Sequence, residues 1–152
     1  MIKQRLSRRT FVAGASLAAL ALVMAPHMVR ADAKAVEDEL KKLFGGKPIA
    51  EGRVKLDVPQ IAENGLVVPL NVDVESPMTD KDYVKAVHVF ADGNPSPHVI
   101  SYRFTPSSGR ASASNRIRLA KTQNIIAVAE MSDGSLHMAK SEVKVTIGGC
   151  GG

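Results

Sequence analysis

The residue type best suited to covalent chemistry occurs once in this chain. Cys150 is the single cysteine among 152 residues, and it sits between two pairs of glycines in Gly148-Gly149-Cys150-Gly151-Gly152, where the chain ends. Glycine has no Cβ and enters both halves of φ space, so a stretch built from it packs no core and holds no rigid shape. The segment therefore reads as a flexible arm carrying a thiol. From Ile147 to Cys150 its extended reach is about 10 Å, and its slim flanks suit entry into a narrow pocket of another protein. An unassisted thiol has a pKa of about 8.5. The arm supplies no base, cation or helix N-terminus to lower that value, and the nearby terminal carboxylate works against the thiolate. Reactivity must then come from a partner's active site, which is the logic of a covalent carrier rather than an enzyme. Tethering adds effective concentration and retains reactive intermediates.

Other uses of the tail fit less well. Prenylation requires three residues after the cysteine, and only two follow Cys150. A lipoprotein cysteine would begin the processed chain. A terminal Gly-Gly carboxylate activated by ATP, as in ubiquitin-like sulfur carriers, conflicts with export and with a β-rich body. An unpaired cysteine in an exported protein can also form an intermolecular disulfide, so the alternative is an exported redox or structural adaptor. Elsewhere the chain offers no Gly-x-Ser-x-Gly elbow and no Cys-x-x-Cys-His heme attachment, and His27, His88, His98 and His137 lack zinc-type spacing. His88, His98 and His137 read as structural strand or turn residues. No cofactor or metal is expected to be bound by this chain.

The formal charge of +5 at first suggests an acidic partner such as nucleic acid or a membrane surface. Its distribution removes that suggestion. Lys3, Arg5, Arg8, Arg9 and Arg30 precede residue 32 without a single acid, which leaves 15 basic against 15 acidic residues beyond them. Ser7-Arg8-Arg9-Thr10-Phe11-Val12 resembles a twin-arginine export motif, with Arg8, Arg9 and Phe11 in the diagnostic places, and an uncharged run Phe11–Ala25 follows. Fifteen apolar residues fall short of the roughly 20 that span a bilayer, and Pro26 closes the run. Residues 1–31 are thus expected to be a cleaved signal, with processing after Ala31 or Ala33, that directs the protein to the periplasm without an anchor. The twin-arginine route carries folded cargo, including a bound partner that has no signal of its own.

A single domain over residues 32–147 must position the arm. Asp32 can cap a helix in which Glu37, Asp38 and Glu39 lie early, Lys41 and Lys42 late, and Val36, Leu40, Leu43 and Phe44 recur at helical spacing up to Gly45-Gly46. From Gly52 onward the period changes to two. Val54, Leu56 and Val58 alternate with polar residues, as do Leu66, Val68, Leu70, Val72 and Val74, with Asn64-Gly65 as the turn between them and Pro69 marking an edge or bulge. Further strands are expected at Tyr83–Ala91, Val99–Phe104, Arg110–Leu119, Ile125–Met131 and His137–Ile147, separated by Asp92-Gly93-Asn94-Pro95, Pro106-Ser107-Ser108-Gly109 and Asp133-Gly134. About seven short strands imply an all-β fold, an antiparallel immunoglobulin-like sandwich with a short N-terminal helix and the arm at residues 148–152.

The terminal run Val143-Lys144-Val145-Thr146-Ile147-Gly148-Gly149-Cys150-Gly151-Gly152 resembles the SoxY family, the sulfur-carrier subunits of the Sox thiosulfate-oxidation system. Similar matches run through Ile61-Ala62-Glu63-Asn64-Gly65, Ser76-Pro77-Met78-Thr79, His88-Val89-Phe90-Ala91-Asp92, Ile117-Arg118-Leu119-Ala120 and Ala127–Gly134. The resemblance implies a partner subunit of the SoxZ type and covalent sulfur intermediates on Cys150. It also implies client enzymes: a c-type cytochrome of the SoxAX type that joins thiosulfate to the thiol, a manganese hydrolase of the SoxB type that releases sulfate, and in some organisms a sulfane dehydrogenase of the SoxCD type. Heme, manganese and molybdenum belong to those clients.

Overall fold

The computed structural model describes residues 33–149. The leader residues Arg8, Arg9 and Phe11, the expected cap Asp32, and Cys150, Gly151 and Gly152 lie outside the described residues. One helix opens the body, α1 (Ala33–Phe44), with Lys41 and Lys42 in its last turn, where they oppose the negative end of the helix dipole. The acids expected early fall beyond the first turn, and Glu39 pairs with Lys42 at 2.6 Å.

Among the described residues nine strands follow: β1 (Ile49–Glu51), β2 (Val54–Asp57), β3 (Ile61–Asn64), β4 (Val68–Val74), β5 (Val84–Ala91), β6 (His98–Arg103), β7 (Ala111–Ile117), β8 (Gln123–Met131) and β9 (Leu136–Ile147). The larger sheet runs β1-β9-β8-β5-β6, with β3 also on β9, and a second sheet runs β2-β4-β7. This is the antiparallel sandwich that the alternation predicts, with two additions. β1 and β3 pair with β9 in parallel, Ile49 opposite Leu136 and Ile61 opposite Lys144. Asn64-Gly65 is accordingly not a hairpin turn between neighbouring strands. The chain leaves the small sheet after β2, adds β3 to the far end of β9, and returns as β4, which pairs antiparallel with β2 and β7. Pro69 lies past the reach of β2, whose pairing ends at Asp57 opposite Asn71, so the proline occupies a local edge.

The core fills the space between the sheets. Val68, Leu70, Val72 and Val74 of β4 face Val87, Val89 and Ala91 of β5 and Ile125, Ala127 and Ala129 of β8, joined by Leu119 and Val143. A second apolar layer lies on the outer face of the larger sheet. There Val36 and Phe44 of α1 cover Phe90, Ile126, Val128 and Leu136. That cover explains why β5 and β8 read as nearly continuous apolar runs instead of alternating ones.

Candidate functional site

The segment that leads to Cys150 is held by a specific set of main-chain bonds. β9 is held along its last residues: Lys144 N–H donates to the Gln60 carbonyl at 2.9 Å, and Val145 N–H donates to Thr122 Oγ1 at 2.9 Å. Beyond them three main-chain bonds tie three segments into one seam. Gly65 N–H donates to the Ile147 carbonyl at 2.8 Å, Leu119 N–H donates to the Gly65 carbonyl at 2.8 Å, and Gly149 N–H donates to the Leu119 carbonyl at 2.9 Å. Leu119 is fully buried and Gly149 is buried as well.

Side chains are excluded from this seam. A Cβ on Gly65 would lie 2.2 Å from the Leu119 carbonyl oxygen and 2.7 Å from the Gly149 nitrogen; one on Gly148 would lie 2.2 Å from the Ala120 oxygen; and one on Gly149 would lie 2.8 Å from the Gly65 carbonyl carbon. Of the residues expected to form the arm, Gly148 and Gly149 are the two described. Gly148 and Gly149 lie on the body, and their lack of a side chain serves close backbone approach rather than freedom of φ.

The loop that receives them is braced from beneath by polar side chains. Asn94, only 2% exposed, donates from Nδ2 to the Arg118 carbonyl at 2.8 Å, and its Oδ1 accepts from Ala120 N–H at 3.0 Å and from Gln123 Nε2 at 2.9 Å. Gln123, 4% exposed, accepts from Gly93 N–H at 2.7 Å and donates to the Lys121 carbonyl at 3.0 Å. Asp92 completes the brace by accepting from the backbone and side-chain amides of Asn124, each at 2.8 Å. Asn94 thus brackets Leu119 from both sides, and Leu119 holds Gly149. In sequence Asp92-Gly93-Asn94-Pro95 reads as a plain turn, and nothing there assigns Gly65, Asn94 or Gln123 to the site. The signal available was a Gly-Asn pair beside strand ends, which specifies a turn but not its distant partners.

Around the seam the surface is apolar. Ile61, Leu66, Val67 and Ile147 are 64%, 45%, 56% and 68% exposed. Their positions follow from register, since Ile147 lies opposite Asn64 and Ile61 opposite Lys144 on the β3–β9 edge.

Among the described residues His88 lies on β5, His98 opens β6 and His137 lies on β9, and two of them meet. His88 Nδ1 and His98 Nε2 both lie on Ser101 Oγ, at 2.7 and 2.8 Å, with ring centroids 5.9 Å apart. Phe44 of α1 stands edge-on to His88 at 5.5 Å, and Phe90 lies 5.3 Å from His98. The nearby carboxylate, Glu130, is engaged by Lys85 at 2.8 Å, and among the described residues no acid is hydrogen-bonded to His88 or His98 to orient it toward Ser101 as a nucleophile would require. Among the described residues no group of three or more His, Cys, Asp or Glu is placed to hold a metal.

Burial, then the neighbouring His98, pulls the His88 imidazole below its ordinary value, against a smaller opposing effect of Glu130 and with a further push from Arg103. The unfolded chain, where histidine titrates near about 6.5, binds a proton more readily than the folded one. This contribution to stability is therefore complete above that pH and is lost as pH falls from there toward the folded value. The urea midpoint should drop between pH 7.5 and 5.5, and His88→Gln should flatten that drop; an identical drop in the variant would contradict this assignment.

Comparison with known proteins agrees with the architecture. The family model described as "SoxY: Sulfur oxidation protein SoxY" matches residues 40–150, a span that ends on the cysteine. The solved sulfur carrier protein SoxY from Chlorobium limicola f thiosulfatophilum is 35% identical, with a TM-score of 0.64, over 76% of this chain and 100% of that one. The superoxide reductase (neelaredoxin) of Ignicoccus hospitalis shares the fold at 17% identity and a TM-score of 0.55, over 62% of this chain and 80% of its own. The superoxide reductase of Nanoarchaeum equitans does so at 13% identity and a TM-score of 0.50, over 62% of this chain and 99% of its own. No curated protein matches the chain. With the match reaching from α1 to Cys150 and the identity extending over the whole of a solved carrier, the chain belongs to the SoxY sulfur-oxidation family.

Proposed function

We propose that this protein is a periplasmic sulfur carrier that holds thiosulfate-derived groups on Cys150 and presents them to the enzymes of thiosulfate oxidation. The observation that carries the reading is the family match running to Cys150, the chain's single thiol, directly beyond a seam that fixes the residue before it. The leader with Arg8, Arg9 and Phe11 supports export by the twin-arginine route. Balanced charge beyond residue 31 supports association with a SoxZ-type subunit carried across in the folded state.

Loading joins two sulfurs. The Cys150 thiol and thiosulfate give Cys–S–S–SO3−, with one proton released and two electrons passed to a c-type cytochrome. Hydrolysis then splits the bond between the outer sulfur and the sulfonate. Water supplies the oxygen of sulfate and one proton for the persulfide, Cys–S–SH, and the second proton is released. A dehydrogenase or a storage route takes the remaining sulfur. The protein's own part is to hold the sulfur and deliver it; the client supplies acid, base, metal and electron acceptor.

Thiosulfate labelled in its outer sulfur, given together with a thiosulfate-oxidising c-type cytochrome, should leave label on the protein that dithiothreitol releases. Label resistant to thiols, or a disulfide-linked homodimer without label, would replace the carrier with the adaptor reading.

A further inference from the structure

The seam has a consequence for where the thiol can be. One peptide bond separates Gly149 from Cys150, and Gly149 is held to Leu119 by a 2.9 Å hydrogen bond in a groove with no room for a Cβ on Gly65, Gly148 or Gly149. With the Gly149–Leu119 bond formed, the last main-chain anchor before Cys150 among the described residues is at Gly149. With that bond broken and the Gly65–Ile147 bond kept, the anchor retreats to Ile147, two residues and about 7 Å of contour earlier. Each extra rotatable residue also widens the volume that the thiol explores, which lowers the fraction of encounters in which it meets a client's reacting centre in line.

We propose that Gly65 and Gly148 are positioning residues for the Cys150 thiol: by admitting Gly149 to the Leu119 carbonyl they set the point from which the thiol is presented. This rests on the carrier reading and adds a role to residues outside the arm's cysteine. Gly65 acts from the loop between β3 and β4, 85 positions earlier in the chain than Cys150. The main-chain bonds form only because residues 65 and 148 both lack a side chain, and Asn94 keeps the Leu119 carbonyl in line through Arg118 and Ala120.

The test uses the full exported chain, whose single cysteine takes a nitroxide label without any other change. In the unsubstituted protein the Gly149 amide should exchange slowly and the label at Cys150 should show restricted motion. Gly148→Ala, which places a methyl against the Ala120 oxygen at the end of the fold, should speed Gly149 exchange about fivefold or more, the worth of one amide–carbonyl bond, and should mobilise the label without lowering the thermal midpoint. Gly65→Ala should mobilise the label in the same way. In thiosulfate loading by a c-type cytochrome, Gly148→Ala should lower kcat about tenfold with KM unchanged, because the body that docks is intact.

A label already as mobile in the unsubstituted protein as in Gly148→Ala overturns the proposal. So does a mobilised label with kcat unchanged. Failure of the unsubstituted protein to take up sulfur at all would count against the carrier reading, while exchange and label mobility would still report on the seam.

Discussion

Cys150→Ala should abolish thiosulfate-dependent sulfate formation when it replaces the unsubstituted protein in a reconstituted system. The chain has no second thiol to receive the sulfur, so the expected result is loss to background rather than partial activity. Stability should be unaffected, because the cysteine lies beyond the last main-chain bond of the seam, at Gly149. Cys150→Ser separates the chemistry from the shape of the tail: a hydroxyl of similar size cannot form the disulfide or persulfide linkage, and the variant should be as inactive as alanine. Activity retained in either variant, at an unchanged thermal midpoint, would mean that sulfur travels by a route that does not use this thiol.

The second large effect is on stability and falls far from the cysteine in sequence. Asn94→Ala removes one donor and one acceptor at a buried position and leaves the Arg118 carbonyl, the Ala120 amide and Gln123 Nε2 each short of a partner. A single unsatisfied buried group costs about 1–3 kcal/mol. Gln123 keeps its bond to the Lys121 carbonyl, and partial relaxation lowers the total, so about 2–4 kcal/mol is expected. In a domain of this size that corresponds to roughly 10 °C in Tm. A midpoint within a degree of the unsubstituted protein would show that water replaces the side chain and that the brace is not what holds the loop. Because the same loop carries the Leu119 carbonyl, the surviving folded protein should also show faster exchange at Gly149.

The parts of the fold that announce themselves in sequence are those governed by period. Val68, Leu70, Val72 and Val74 alternate in sequence and are all buried in β4, and Val36, Leu40 and Phe44 of the helical stripe lie on the outer sheet face, whereas Leu66 and Leu43, read as members of the same two series, are each 45% exposed. β1 and β3 escape such reading for a physical reason. They are three and four residues long, and each is defined by parallel pairing with β9, so nothing local to them carries the signal. The same holds for the seam. Gly65 follows an asparagine, as in a tight hairpin, yet what requires a glycine there is the approach of Leu119 and Gly149 from remote parts of the chain.

The terminal cysteine among glycines was legible because composition alone isolates it. Its supports were not. The Asn94–Gln123 pair looks in sequence like a turn residue and a strand-start residue, and only the packing of the β5–β6 loop under the β7–β8 loop makes it a buried polar brace. His88, His98 and Ser101 likewise come together because β5 and β6 pair with a register shift between Val89 and Phe90.

The central claim is that Cys150 carries sulfur derived from thiosulfate. Its most direct test is the mass of the C-terminal peptide from protein isolated from cells oxidising thiosulfate, before and after dithiothreitol. The account predicts added sulfur and sulfonate masses confined to Cys150 and removed by the thiol, with a bare peptide from cells grown without thiosulfate. An unmodified cysteine under both conditions, or a mass increment located on the Gly152 carboxylate, would contradict it.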